Sequence, residues 1–428
     1  MRVLIVAEYA SARFGGEAIL PLHYFGKLRS RGIEAQLVVQ DRTKEHLQAL
    51  FPDEHDRIHF VPDTQVHYWM HRLTRPLPSR LGSLTTNVLG YLYTQLIQRR
   101  VVRQLVRDHG IDIVHQPVPV SPKQPSLMFD LGAPVVIGPM NGGMNFPPAF
   151  QSERSTVEKI TLSVGRWVAR WMNYLIPGKR KAEVLLVSNP RTGAALPAGL
   201  RGPVIELVEN GVDLDLWRLP ESSVPAPPDT PRFLFMGRLV DWKAVDILLQ
   251  SFQPVAAQTN AILEIIGEGE MRPSLEALVA QLGLSDRVIF RGWLSQPECA
   301  TCLQEATALV LPSLYECGGA VVLEAMAMAR PVIATNWGGP ADYLDETCGI
   351  LVDPTSRPAF IKGLTAAMLQ LIYSPELGTQ LGKAGLMRVK QHFSWESKVD
   401  RMIEIYKMAM QSSSVPAAEQ AKVLSVKY

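Results

Sequence analysis

Short, nearly continuous apolar runs recur along the chain, each followed by a polar or glycine-rich turn and then a stretch with helical spacing. In the front half they are RVLIVAEY, IEAQLVVQ, IDIVHQ, APVVIGPM, EVLLVSN and VIELVEN. In the back half they are RFLFMGRL, AILEIIGEG, RVIFRGW, ALVLPS, PVIAT and GILVDP. Runs that are apolar throughout, instead of alternating, predict strands of a parallel sheet covered on both faces. The intervening stretches predict helices: from the FGGEA turn to about Arg31, then over 243–257, 271–282 and 296–306, and again after Gly319. This βαβα alternation predicts an α/β fold of two similar parallel-sheet domains in tandem. The rhythm breaks over 214–231, where LWRLPESSVPAPPDTPR is rich in Pro and Ser, a linker composition. The expected domains are therefore 1–213 and 232–395, joined by that linker. FSWESKVDRMIEIYKMAM predicts a terminal helix over 396–412, apolar at Val399, Met402, Ile403 and Tyr406, before a flexible tail at 413–428.

Composition narrows the class. The chain has 428 residues, 47% of them hydrophobic, enough for more than one core and too apolar for global disorder. Its net charge of +2 hides an asymmetry. Residues 1–200 carry 24 Lys and Arg against 15 Asp and Glu, and residues 201–428 carry 19 against 26. A basic front half suits an anionic neighbour, or simply docking onto an acidic back half. Cys299 and Cys302 form a CxxC with no second pair or nearby histidines to complete a zinc set. They read as half-buried helix thiols of a reducing compartment. MRVLIVAEYA reads as a first buried strand, not a signal peptide, and no run of about 18 apolar residues predicts a spanning helix.

Open parallel sheets bind ligands at the carboxyl ends of their strands, so the polar residues just past each run are the candidates for chemistry. FMGRLVDWK places Arg238 and Lys243 directly after a strand, a fork and a point charge suited to a diphosphate. Gly267 and Gly269 form a Gly-x-Gly at the next strand end. In YECGGAVVLEAMA, Glu316 stands at the turn after ALVLPS, and Gly318 and Gly319 open a helix whose N-terminal N–H groups favour an anion. Glu324 sits inside that helix among apolar residues, where a carboxylate wants hydroxyl or N–H donors such as a ribose diol, or serves the helix dipole. In the front half, RFGGEA offers Gly15 and Gly16, and GPMNGGMNFPP offers Asn141, Gly142 and Gly143. His115 stands at a strand end as a polar or a structural residue, and DLD at 213–215 reads as a turn and not a metal site.

Taken in order, GRLVDWKAVDILLQSF, LEIIGEGEMRPSLEALVAQLGLSDRVIFRGWL and PSLYECGGAVVLEAMAMARPVIATNWGGPADYL resemble the family-4 glycosyltransferases, whose signature is a Glu-x7-Glu pair. ENGVDLDLW is similar to their boundary motif and FSWESKVDRMIEIY to their terminal helix. The resemblance implies a GT-B fold: two Rossmann-like domains facing across a cleft, with a C-terminal helix crossing back to the first. It implies a retaining transfer of a sugar from a nucleotide-sugar donor, without a bound metal or other cofactor. By the same resemblance Arg238 and Lys243 hold the donor diphosphate, Glu324 binds the ribose, and Glu316 meets the sugar hydroxyls. The backbone at Arg291 and Gly292 lines the base pocket, and Gly15 and Gly16 approach the phosphates. The chain departs from the family pattern in having Cys317-Gly318 where Gly-Phe is usual and Ala244 where Gly usually follows the lysine.

The resemblance places the acceptor, a glycan or a lipid-linked sugar, on the front domain. Two stretches there are basic and aromatic, HYWMHRLTRPLPSRLGSL and VGRWVARWMNYLIPGKRK. They predict contact with an anionic membrane surface, or packing on their own domain, in a protein of the cytoplasm or the inner membrane face. No nucleic-acid recognition motif accompanies the charge. The expected role is assembly of a cell-surface polysaccharide, lipopolysaccharide or glycolipid. The rivals are a nucleotide-sugar epimerase and a degenerate nucleotide-binding subunit.

Overall fold

The computed structural model describes residues 1–11, 16–66, 69, 72, 79–151, 165, 168–218 and 230–414. The chain forms two compact units. The first comprises Met1–Gly143, Thr156–Glu209 and Lys398–Tyr428; the second comprises Met144–Ser155 and Asn210–Ser397. Parts of the expected linker (219–229) and tail (415–428) lie outside the described residues.

The first unit is built on a parallel sheet of β1 (Arg2–Val6), β2 (Glu34–Gln40), β3 (Ile58–Val61), β4 (Ile113–Gln116), β5 (Val135–Met140), β6 (Val184–Val187) and β7 (Val204–Glu206), in the order β3-β2-β1-β4-β5-β6-β7. The central strands are buried along nearly their whole length, as their unbroken apolar runs require. Leu4, Val6, Val38, Val114, Ile137 and Leu185 pack with Val102 and Val106 of the long helix Ser79–His109. The short strand β3 was not among the runs predicted. The last helix, Trp395–Ser414, joins this unit from Lys398 onward.

The second unit repeats the plan with β8 (Arg232–Met236), β9 (Ile262–Ile266), β10 (Val288–Gly292), β11 (Ala308–Leu311), β12 (Val332–Thr335) and β13 (Ile350–Val352), in the order β10-β9-β8-β11-β12-β13. All of its ladders are parallel. In each sheet the strand order reverses direction once, between β1 and β4 and between β8 and β11. Loops leaving those two strands diverge to opposite faces, which opens a crevice at the carboxyl edge of the sheet.

Candidate active site

The crevice of the second unit lies between the loops that follow β8 and β11, and most of the predicted site residues are in them. After β8 the chain passes close beside the next strand's loop. Gly237 N–H donates to the Ile266 carbonyl at 3.0 Å and Leu239 N–H to Glu268 at 2.9 Å. A methyl group on Gly267 would stand 1.9 Å from the Gly237 carbonyl oxygen, and Gly267 has φ +129°. Gly267 therefore admits the backbone of its neighbour. Its N–H donates to the Gly292 carbonyl at 2.8 Å, which ties the ends of β9 and β10 together.

Arg238 is exposed at the end of β8, its guanidinium 5.7 Å from the centre of the Trp242 ring, with no carboxylate paired to it among the described residues. Lys243 ends a short 3-10 turn, Asp241–Lys243, and the next residue, Ala244, adopts the left-handed conformation at φ 52° and ψ 39°. A glycine suits that conformation better, which accounts for the glycine the resembling family carries there. Leu314 N–H donates to the Trp242 carbonyl at 2.9 Å and brings the β11 loop alongside. Lys243 and Glu316 form an ion pair there, both side chains largely buried.

The β11 loop is fixed from behind. Gly339 N–H donates to the Glu316 carbonyl at 2.8 Å, and a methyl on Gly339 would meet the Gly318 carbonyl oxygen at 2.0 Å. Gly319, at φ +90°, caps the helix Ala320–Ala327. One turn further, Glu324 is half-buried without a hydrogen-bond or ion-pair partner among the described residues. Burial pushes its carboxyl up to about 7. Cys299 lies near enough to feel Glu324, and burial first, then that carboxylate, pushes its thiol up to about 12. A thiol so protonated is inert, which fits the reading of Cys299 and Cys302 as half-buried residues of the helix Gln296–Glu305.

Arg291 is on the edge strand β10, where its Nε donates to Glu264 at 2.9 Å while Arg232 holds the other oxygen of that carboxylate at 2.7 Å. Its side chain is thus engaged in the sheet, and only its backbone and that of Gly292 are left for a ligand. In the first unit, Gly16 opens a 3-10 turn at φ +54°; Gly15 lies outside the described residues.

Two features escaped the sequence reading. The segment Met144–Ser155 belongs to the second unit, where Phe146 stacks on Tyr315 with ring centres 5.4 Å apart and Trp337 Nε1 donates to the Asn145 carbonyl at 2.8 Å. The glycine pair Gly338–Gly339 supports Glu316 from behind; the NWGGP turn was its available signal.

His115 is fully buried, with Nε2 2.7 Å from the Gly138 carbonyl and Nδ1 2.7 Å from the Tyr406 hydroxyl. Burial lowers its pKa to about 4, so it is a neutral structural residue. Asn141 donates to Glu209 at 2.7 Å inside the first unit. In the DLD triplet, Asp213 Oδ1 accepts from the Asp215 N–H at 3.1 Å, a turn. Of the basic, aromatic stretches, 67–68, 70–71, 73–78, 164 and 166–167 lie outside the described residues. The described part corrects one expectation. Lys179 is buried and donates to the Ser121 and Pro122 carbonyls at 3.0 and 2.6 Å. Lys181 pairs with Asp130 at 2.6 Å, and Arg180 donates to the Tyr174 carbonyl. Val168, Trp171, Tyr174 and Leu175 are exposed. No described helix is long and apolar enough to cross a membrane, and no three metal-ligating side chains gather among the described residues.

Residues 221–386 match the family model described as glycosyl transferases group 1. Together with the two parallel sheets, this gives the chain a GT-B architecture with a glycosyl transferases group 1 segment in its second unit. The chain is 25% identical to the MMP alpha-(1->4)-mannosyltransferase of Mycolicibacterium hassiacum, over 96% of this chain and 98% of that one. It is 30% identical to an uncharacterized glycosyltransferase of Methanocaldococcus jannaschii over 44% of this chain and 48% of that one. It is also 30% identical to the lipopolysaccharide core biosynthesis glycosyltransferase LpsE of Rhizobium meliloti, over 43% and 52%. The chain thus spans about half the length of several curated relatives it matches. Among solved structures, HepE of Anabaena in complex with UDP superposes with a TM-score of 0.64 at 18% identity, over 95% of this chain and 100% of that one.

Proposed function

We propose that this chain transfers a hexosyl group from a nucleotide-sugar donor to a glycan or lipid-linked acceptor, with retention at the anomeric carbon, in the manner of the family-4 enzymes. The observation that carries the reading is the grouping at the β8/β11 crevice: a Lys243 held by Glu316, with an Arg238 and a Glu324 that are unpaired among the described residues. A diphosphate supplies the anion that Arg238 lacks and competes with Glu316 for Lys243. Both cations then stabilise the charge that grows on the departing diphosphate. Lys243 leaving Glu316 frees that carboxylate for sugar hydroxyls near the reacting carbon. The ribose diol would donate to Glu324, the helix opened by Gly318 and Gly319 would face the phosphates, and the backbone at Arg291 and Gly292 would border the base. The complexes of HepE with UDP and with UDP-glucose support a nucleotide-linked donor by analogy.

The lipopolysaccharide core relative supports a role in surface-glycan assembly, and we place that role at the cytoplasmic face of a membrane as part of the proposal. The exposed Val168, Trp171 and Leu175 beside Arg170 support contact with that surface. A thermal-shift screen of nucleotide sugars tests the core reading, since a specific donor raises Tm by mass action. Absence of stabilisation by any nucleotide sugar or nucleoside diphosphate would overturn it. Product analysis without an acceptor separates transfer from epimerisation. Co-sedimentation with anionic and neutral vesicles tests the membrane contact, and equal lack of binding to both would reject it.

A further inference from the structure

The first sheet has a switch point of its own, between β1 and β4, and a pocket of about 320 Å³ opens there. Glu8, Tyr9 and Glu17 line it from the chain after β1, Pro119 and Gln124 from the chain after β4, and Tyr91 from the helix Ser79–His109. Its polar groups converge with capacity to spare. Glu8 is half-buried, accepts from the Tyr9 hydroxyl, and is pushed above the usual carboxylate range by burial. Glu17 accepts the Val120 N–H on Oε2 at 3.3 Å and keeps Oε1 for another donor. The Tyr91 hydroxyl accepts from Gln116 Nε2 at 3.4 Å, which leaves its own proton to donate. The Gln124 amide has no hydrogen-bond partner among the described residues.

Among the described lining residues, charge has one sign. No lysine or arginine is among the described lining residues. The cation that acts on Glu8, Arg42, is committed to Asp63 through two contacts of 2.5 and 3.0 Å. Carboxylates accept from hydroxyl or ammonium donors, the phenols both donate and accept, and the tyrosine and proline faces cover the apolar face of a ring. A phosphate or carboxylate placed here would meet like charge in a partly desolvated site.

We propose that this pocket binds a polyhydroxyl ring, a sugar or cyclitol, that is uncharged or bears an ammonium group, and that it rejects rings carrying a phosphate or carboxylate. Calling that ring the acceptor rests on the transferase reading above; the binding chemistry does not. The test uses the full-length protein and calorimetric titration with myo-inositol, methyl glucoside and glucosamine against inositol phosphate and glucose 6-phosphate. The neutral and amino probes should bind at least about tenfold tighter than the phosphorylated ones. Glu8→Gln with Glu17→Gln should bring that ratio close to one, and Gln124→Ala should weaken the neutral probes. Stabilisation by UDP reports separately on the second unit and certifies that each variant is folded. If UDP binds but the phosphorylated rings bind as tightly as the neutral ones, or the double variant keeps the discrimination, the assignment of this pocket falls while the transferase reading stands. If the rings behave as stated and no nucleotide binds, the pocket stands and the transferase reading falls.

Discussion

Arg238 and Lys243 differ in what their removal leaves behind. Arg238 has no carboxylate partner among the described residues, so Arg238→Ala deletes a charge and little else from what they show. Lys243→Ala strands Glu316 as a largely buried carboxylate, which costs stability as well as chemistry. Both variants should lose about 10²- to 10³-fold in kcat, while only Lys243→Ala lowers Tm. Turnover with the donor found by thermal shift, and melting followed by circular dichroism, check the pair; near-normal rates in both would refute their roles. Glu324 makes the opposite trade. Its folded-state pKa, about 7, lies above the ordinary carboxyl value of 4.5. Between those values the folded protein holds a proton that the unfolded chain has lost, so its contribution to stability falls as pH rises from about 4.5 to about 7 and stays lost above that. Glu324→Gln should therefore raise Tm by about 2–4 °C at pH 8 and weaken nucleoside diphosphate binding about tenfold. A variant that binds the nucleotide as well as the parent would remove Glu324 from the ribose site.

At the scale of elements, what positions Glu316 is a set of backbone contacts. The Met144–Ser155 segment reaches the β11 loop through Phe146 on Tyr315, and Gly339 supports it through the Glu316 carbonyl. Phe146→Ala removes an aromatic stack worth about 1 kcal/mol and loosens the loop that carries Glu316. It should lower kcat about tenfold with Tm almost unchanged; steady-state kinetics with an unaltered rate would show the stack to be incidental. Such contacts were the least legible part of the chain. The strands could be read because β1, β6, β8 and β11 are apolar at nearly every position, a local signature of two-sided burial. Arg238, Lys243 and Gly318 were legible as candidates because they fall in the turns just past strand ends. Nothing local marks Met144–Ser155 as part of the second unit, since its assignment depends on partners distant in sequence. Lys179 was illegible for the same reason. GKRK looks like a solvated basic run, and only the Ser121 and Pro122 carbonyls reveal that its first lysine is enclosed. β3 is short, and His59 interrupts its apolar run, so it lacks the continuity that exposed the other strands.

At the scale of the whole molecule, two buried lysines give the stability an alkaline pH dependence. Lys179 donates only to carbonyls, and Lys398, on the last helix, donates to the Glu209 carbonyl. Burial lowers both to about 7; for Lys398 the Glu209 carboxylate pulls the other way without reversing it. The ordinary lysine value is 10.5. A lysine whose folded pKa is depressed holds fewer protons folded than unfolded between the two values. Raising the pH through that window therefore favours the fold. From pH 7 to 8.5 this gain is little opposed. Glu324 is already past its window, and the cysteines with raised values titrate above it. The urea midpoint should therefore rise across that range, as the unfolding free energy grows by up to about 1 kcal/mol per pH unit for each lysine. Lys179→Met and Lys398→Met should each be less stable at pH 8.5, where carbonyls lose their donor, and should each flatten the slope. The slope distinguishes a titrating lysine from one that merely fills space. A midpoint that rises as steeply in Lys179→Met as in the parent would mean that this ammonium keeps its charge throughout, held by the two carbonyls alone.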